Sequence, residues 1–106
     1  MKLKIAFHAN QLSERGCEVA LYDYCYYCET LLGHQPFVFY PRHAAANDSS
    51  IVQRFSSQFP LIAYDHYSEV DDEIARLDIE LLYVIKGGEV DRFVSRHVPT
   101  MVHAVF

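Results

Sequence analysis

The segment Ile79-Glu-Leu-Leu-Tyr-Val-Ile85 decides the fold, and only Glu80 interrupts its apolar character. A strand that is apolar throughout, rather than alternately apolar and polar, is buried on both faces. Burial on both faces is typical of a parallel sheet, because the connections between parallel strands cover the sheet with helices. Lys86-Gly87-Gly88 follows and ends the predicted strand.

Four further segments share this apolar character and alternate with helical patterns. The additional strands are predicted at residues 3–7, 36–40, 61–64 and 99–106. Helices are predicted from Gly16 to a terminating Gly33, from a cap within residues 47–50 to about Ser57, from a Ser68 cap to Leu77, and over residues 89–96. The alternation implies right-handed crossovers, so the predicted fold is α/β: one domain over residues 1–106, a Rossmann-like open parallel sheet with helices on both faces.

A continuous apolar stripe is predicted on the first helix. Its members recur at spacings of four and three residues: Cys17, Leu21, Tyr24, Cys28 and Leu31. Cys25 and Cys28 have the spacing of half a zinc site, but no second pair of ligands follows. A redox pair would open a helix, whereas this pair falls in mid-helix. We therefore predict reduced thiols that pack within the helix, and no metal site.

The composition suits one ordinary globular domain, since the 106 residues are 51% hydrophobic and 22% charged. Nine Lys and Arg are scattered along a chain with fourteen acidic residues, so no basic stripe exists for nucleic acid. No apolar run approaches the ~20 residues of a membrane-spanning helix or the core of a signal peptide, and a cytoplasmic location is expected. The acidic run at residues 69–73 is interpreted as a solvated helix face, with a small cation site as the alternative.

The predicted fifth strand runs to Val105 and Phe106, and no helix follows to cover that edge of the sheet. We therefore expect the chain to be part of a longer protein, truncated after this strand. The uncovered segment at residues 102–106 is also expected to mediate self-association, because an exposed edge offers unpaired backbone groups to another chain.

The first candidate residues follow the first strand, because parallel α/β sheets bind ligands at the carboxyl ends of their strands. His8 and Asn10 are predicted to bind substrate there, and Gly16 opens the next helix, whose backbone N–H groups suit an anion or a sugar hydroxyl. A plain turn glycine is the alternative for Gly16. The loop lacks the G-x-G-x-x-G and G-x-x-x-x-G-K-[ST] patterns, so no cofactor is predicted.

The second group of candidates follows the later strands. Lys86 and Gly87 come directly after the fourth strand, where Lys86 would place a cation in the same cleft; a surface lysine beside a turn is the alternative. His103 lies near the carboxyl end of the last strand, where an imidazole can titrate or bond a substrate. A core histidine bonded to the backbone is the alternative for His103.

Three segments together resemble one enzyme family. They are Lys4-Ile-Ala-Phe-His8, Arg15-Gly-Cys-Glu-Val-Ala20 and Val98-Pro-Thr-Met-Val-His103. The combination resembles the N-terminal, acceptor-side lobe of two-lobed (GT-B-type) glycosyltransferases of the family 1 and family 4 kind. In that lobe a first strand leads to a glycine loop, and a later strand beginning with proline carries a histidine. Cys17 stands where the family usually has Gly or Thr.

The resemblance implies a lobe that holds most of a sugar acceptor and faces a second lobe, which holds most of a nucleotide-sugar donor. It implies that Gly16 approaches the donor phosphate or the acceptor, and that His103 faces the reacting sugar as a catalytic residue. Lys86 and Gly87 would form a second cleft loop. The donor lobe's residues are not among these 106, so this chain alone is expected not to transfer sugars. The alternative is a noncatalytic Rossmann-like α/β binding or interaction module.

Overall fold

Five parallel strands form one sheet in the computed structural model, which describes residues 2–13, 16–86, 95 and 97–104. The strands are β1 (Lys4–His8), β2 (Gln35–Pro41), β3 (Leu61–Tyr64), β4 (Leu81–Lys86) and β5 (Thr100–Ala104). Their order across the sheet is β3-β2-β1-β4-β5, and every neighbouring pair is parallel. The predicted α/β fold with a Rossmann-like open sheet is therefore confirmed.

In the described part of the chain, three helices flank the sheet: α1 (Gly16–Thr30), α2 (Ser49–Gln58) and α3 (Ser68–Arg76). Residues of α1 and α2 pack on one face, and residues of α3 pack on the other. This division follows from right-handed crossovers, because the chain moves from β1 to β3 in one direction and then crosses β1 to reach β4. Of the helix predicted at residues 89–96, only Ser95 belongs to the described residues. No helix in the described part of the chain combines the length and apolar character needed to cross a membrane.

Alternate residues of the central strand β1 supply the two halves of the core. Ile5 and Phe7 join the cluster on the α1 and α2 side, where Phe55 of α2 packs. Ala6 joins the opposite cluster, to which α3 contributes Ile74. These five side chains are between 0% and 8% exposed. The uniformly apolar strands of the sequence thus correspond to a sheet that is covered on both faces.

The buried stripe of α1 differs from the predicted one. Leu21, Cys25 and Cys28 are buried in the core, whereas Tyr24 is 40% exposed and Leu31 is 75% exposed. The prediction was wrong at these two positions because α1 carries apolar or aromatic residues around most of its circumference, so spacing alone does not identify the inner face. Leu31 also follows the last residue of the helix.

Cys25 and Cys28 are free thiols within α1, and their predicted packing in the helix is confirmed. Burial raises the pKa of both the Cys25 and the Cys28 thiol. Each thiol is therefore protonated at neutral pH, and it packs as a small apolar side chain.

The predicted signals at the end of α1 and the start of α2 are confirmed. Gly33 follows α1 with φ +71°, and the next amide, on His34, donates to the Cys28 carbonyl at 3.1 Å. Asp48 caps α2, since its carboxylate accepts from the backbone N–H of Ser50 at 2.8 Å.

The start of α3 differs from its prediction, in which Ser68 caps the helix. Tyr67 occupies the capping position, and no side chain there bonds the first turn. Glu69 instead turns back from the first turn of α3, and its carboxylate accepts from the backbone N–H groups of Asp65 at 2.8 Å and His66 at 2.6 Å. These two hydrogen bonds lower the pKa of Glu69. The loop after β3 is thereby tied to the helix that follows it.

We expect Gly33→Ala to lower the free energy of unfolding by about 1–2 kcal/mol, because an alanine at positive φ crowds its own backbone. No atom lies within 4 Å of a Cβ built at Gly33, so conformation rather than a clash sets the cost. Gly33→Asn is the matched control, since asparagine tolerates this region better, and its loss should be smaller. Urea unfolding of the three proteins measures both effects; equal losses would contradict this account of the α1 end.

Candidate functional site

The carboxyl edge of the sheet brings the predicted site residues to one side of the molecule. Gly16 begins α1 after β1 ends, Lys86 is the last residue of β4, and His103 lies in β5. The register pairs Ile85 with His103, so His103 lies one row below the end of β4. The backbones of Gly16, Lys86 and His103 therefore share one edge of a parallel sheet. Gly87 lies outside the described residues.

The reversal of strand order lies between β1 and β4. The chain passes from β1 to β2 and β3 on one side, and it returns to β4 on the other. In open α/β sheets this arrangement leaves a crevice beyond the carboxyl ends of the two central strands, because the connections leave them in opposite directions. Gly16 and Lys86 stand on the elements that flank this crevice.

His8 is buried beneath this edge rather than exposed on it. Its side chain is 0% exposed, and its Nε2 atom lies 2.6 Å from the Tyr64 hydroxyl oxygen. The imidazole also packs against the rings of Tyr64 and Tyr67, at centroid distances of 5.6 and 5.4 Å. Direct contact between His8 and a ligand, as predicted, is therefore not available in this structure, and the side chain supports the edge from below. Asn10 is exposed in the loop after β1.

Tyr64 completes this buried pair from the end of β3. Burial raises the pKa of its hydroxyl to about 12, because the phenolate would lose its hydration inside the protein. The hydroxyl is therefore protonated at neutral pH, so it can form a hydrogen bond with the imidazole of His8. The contact joins β1 to β3, which are separated in the sheet by β2.

Asn47 holds the loop between β1 and α1, a role that its predicted capping position does not indicate. Its Oδ1 accepts from the backbone N–H of Leu12 at 2.9 Å, and its Nδ2 donates to the Pro41 carbonyl at 2.8 Å. The Leu12 carbonyl accepts from the backbone N–H of Asp48 at 2.7 Å. Three hydrogen bonds thus fix the path by which the chain approaches the start of α1.

A charged cluster at the ends of β2 and β3 was not identified from the sequence. Nη1 of Arg42 donates to both carboxylate oxygens of Asp65, at 3.1 and 3.0 Å, and Nη2 donates to the Ala63 carbonyl at 3.2 Å. Nε2 of His43 lies 3.2 Å from Oδ1 of the same carboxylate. Asp65 therefore partly balances the charge of Arg42, although both side chains are exposed, at 52% and 41%, and solvent weakens their pairing.

In the acidic run at residues 69–73, Asp72 is exposed, whereas Glu69, Asp71 and Glu73 are half-buried on α3. Glu69 accepts backbone hydrogen bonds, and Glu73 accepts from Nε of Arg76 at 3.0 Å. Within residues 2–13, 16–86, 95 and 97–104, no group of three His, Cys, Asp or Glu side chains is arranged to hold a metal ion.

We expect Tyr64→Phe to lower the free energy of unfolding by about 1–3 kcal/mol at pH 7, because buried His8 loses one hydrogen bond. The folded-state pKa of Tyr64 is raised from 10 to about 12, so the protonated hydroxyl stabilises the fold fully below pH 10. That contribution is lost as the pH rises from 10 through about 12. The stability difference between wild type and variant should therefore narrow over this range.

Urea unfolding at a series of pH values measures this difference. Tyr27→Phe is the matched control, since Tyr27 is 53% exposed on α1 and its hydroxyl is not in the core. A difference between wild type and Tyr64→Phe that stays constant from pH 9 to pH 12 would contradict the assignment of the alkaline transition to Tyr64.

Comparison with known proteins identifies no family for this chain. No family model matches the chain, and neither a curated protein nor a solved structure does. The function is therefore argued from the fold and from the residues at the carboxyl edge.

Proposed function

We propose that this chain is the acceptor-side lobe of a glycosyltransferase, which transfers a sugar from a nucleotide-sugar donor to a hydroxyl of an acceptor. One observation carries the proposal. Two of the strands that carry the resemblance, β1 and β5, lie far apart in the sequence, yet both end at the same edge of the parallel sheet, with β4 between them and the start of α1 after β1. Such an edge is where open α/β sheets bind their ligands.

The proposed chemistry is a substitution at the anomeric carbon of the donor sugar. The acceptor oxygen forms a bond to that carbon, the bond from the carbon to the diphosphate oxygen breaks, and the nucleoside diphosphate leaves. The proton of the acceptor hydroxyl passes to water or to the departing diphosphate. Positioning of the two substrates and stabilisation of the leaving charge dominate such a reaction. In the proposal, the N–H groups at Gly16 and the ammonium of Lys86 bind charged or hydroxyl groups of the substrates in the crevice. His103 faces the reacting sugar.

The buried pair of His8 and Tyr64 has a positioning role in this proposal. It fixes the end of β1, from which the chain runs through Asn10 and the Leu12 contacts to the start of α1. Donor binding falls mainly to a second lobe in the family that this chain resembles. We therefore expect the chain alone to bind acceptor sugars more readily than nucleotide sugars, and not to catalyse transfer.

The proposal is tested by titrating the ¹⁵N-labelled chain with methyl glycosides and, separately, with UDP-glucose and GDP-mannose. We expect methyl glycosides to shift the amides of Asn10, Gly16 and Lys86 at the carboxyl edge. His103→Ala and Lys86→Ala should each weaken that binding about tenfold, the usual cost of one good polar contact.

His97→Ala is the matched control, because His97 is exposed and precedes β5, at the opposite edge of the sheet from His103. Its binding should equal that of the wild type. Shifts confined to other surfaces, or equal losses in the His97 and His103 variants, would overturn the proposal and favour a noncatalytic interaction module.

We also propose that the chain self-associates through β5, the edge strand of the sheet beyond β4. An edge strand presents backbone N–H and C=O groups that a second copy can pair, and Met101 on this strand is 51% exposed. Met101→Lys should shift the population toward monomer, because a charged side chain on an edge strand disfavours pairing. Light scattering over a concentration series measures the mass.

Tyr27→Lys on α1 is the control for this test, since it adds the same charge to another exposed apolar position. A wild-type chain that stays monomeric at high concentration would contradict self-association. Dissociation by Tyr27→Lys and not by Met101→Lys would place the contact on α1 instead.

A further inference from the structure

A groove opens between the carboxyl end of β2 and the exposed side of α2. Its volume is about 470 Å³, and its lining includes Tyr40 of β2 together with Ser49, Val52 and Gln53 of α2. The volume falls in the range of small-molecule sites. The groove lies at β2 and α2, away from the crevice between β1 and β4.

Three polar groups of the groove are not engaged with other described residues. The Tyr40 hydroxyl, the Ser49 hydroxyl and the Gln53 side-chain amide make no hydrogen bonds within the described part of the chain. Each of these groups can both donate and accept. Beside them, the Tyr40 ring and Val52 offer apolar surface. This combination suits a ligand with several hydroxyl groups and one less polar face.

The charge in the groove is partly paired, which favours a neutral ligand over an anion. Arg42 is the charged residue in the lining, and its guanidinium already donates to both oxygens of Asp65 and to the Ala63 carbonyl. An anion bound at this guanidinium would lie close to the Asp65 carboxylate, whose negative charge weakens the attraction of Arg42 for the anion. The groove therefore offers directional hydrogen bonds beside a cation whose charge is partly balanced.

We infer that this groove binds a neutral sugar unit, held by Tyr40, Ser49 and Gln53. The site is separate from the crevice proposed for the reaction, and the inference does not depend on transfer activity. Its ligand is recognised by matched donors and acceptors rather than by charge. The arrangement fits a hexose ring whose hydroxyls meet the three polar groups while its less polar face packs on Tyr40.

The test is a titration of the ¹⁵N-labelled chain, followed through the Gln53 side-chain amide and the backbone amides of Ser49 and Gln53. The probes are the methyl glycosides of glucose, galactose, mannose and N-acetylglucosamine, with inorganic phosphate as the anionic probe. We expect saturable shifts of these amides with at least one glycoside and none with phosphate. These signals are distinct from those of Asn10, Gly16 and Lys86, so this inference and the proposed function can fail separately.

Two variants remove single hydrogen-bonding groups with little risk to the fold. Gln53→Ala and Tyr40→Phe should each weaken glycoside binding in the groove about fivefold to tenfold, as expected for one lost hydrogen bond. Gln58→Ala is the matched control, because Gln58 is exposed on the same helix but bonds Glu29 outside the groove. Its affinity should equal that of the wild type.

Every other outcome overturns the inference. The first is the absence of shifts at Ser49 and Gln53 with all four glycosides up to tens of millimolar. The second is a shift of the same amides on addition of phosphate. The third is an equal affinity of the Gln53→Ala and Gln58→Ala variants for the glycosides. A phosphate response that Arg42→Ala abolishes would identify an anion site instead.

Discussion

The central strand β1 is paired with a neighbour on each side and covered by helices on both faces. The rest of the fold is arranged around this buried strand. Its residues pair in parallel register with β2 and, from Ile5 to His8, with β4, so the strand is hydrogen-bonded within the sheet on both sides. Its side chains from Ile5 to His8 are at most 8% exposed. Because these side chains alternate between the two faces of the sheet, the strand fixes where both layers of helices pack. The crevice at its carboxyl end follows from the same pairing, because β1 is the strand at which the chain reverses direction.

A polar residue inside such a strand must be satisfied from elsewhere in the fold. His8 is at the carboxyl end of β1, and a buried imidazole without partners would cost more free energy than one hydrogen bond returns. Tyr64 supplies a hydroxyl from β3, across the intervening strand β2. The pair therefore couples the ends of two strands that do not touch through their backbones. The loop that leaves β1 is held in turn by Asn47, so the start of α1 is positioned by side chains from β3 and from the loop after β2.

The sequence was sufficient to predict the sheet and its parallel arrangement, since strands buried on both faces are apolar throughout. The sequence did not identify which face of α1 is buried, because apolar or aromatic residues such as Tyr24 occur on both sides of that helix. The site could be predicted only as positions along an edge. The contacts of Asn47 with Leu12 and of Arg42 with Asp65 join loops that are 35 and 23 positions apart in the chain. Such contacts depend on the strand order, which the periodicity of a single segment does not contain.

Ion pairs and hydrogen bonds make the carboxyl edge less repulsive to anions than the net charge of the chain suggests. The chain carries a net charge of -5, yet Asp65 is balanced by Arg42, and Glu69 is bound by backbone N–H groups. These acids therefore repel an anionic substrate less than free carboxylates at the same places would. An edge on which some fixed charges are paired favours ligands that bind through hydroxyl groups, and in the proposed function a diphosphate would depend on the start of α1 and on cations such as Lys86. The proposed acceptor-side role and the proposed neutral ligand of the groove therefore rest on the same electrostatic feature, the pairing of Arg42 with Asp65.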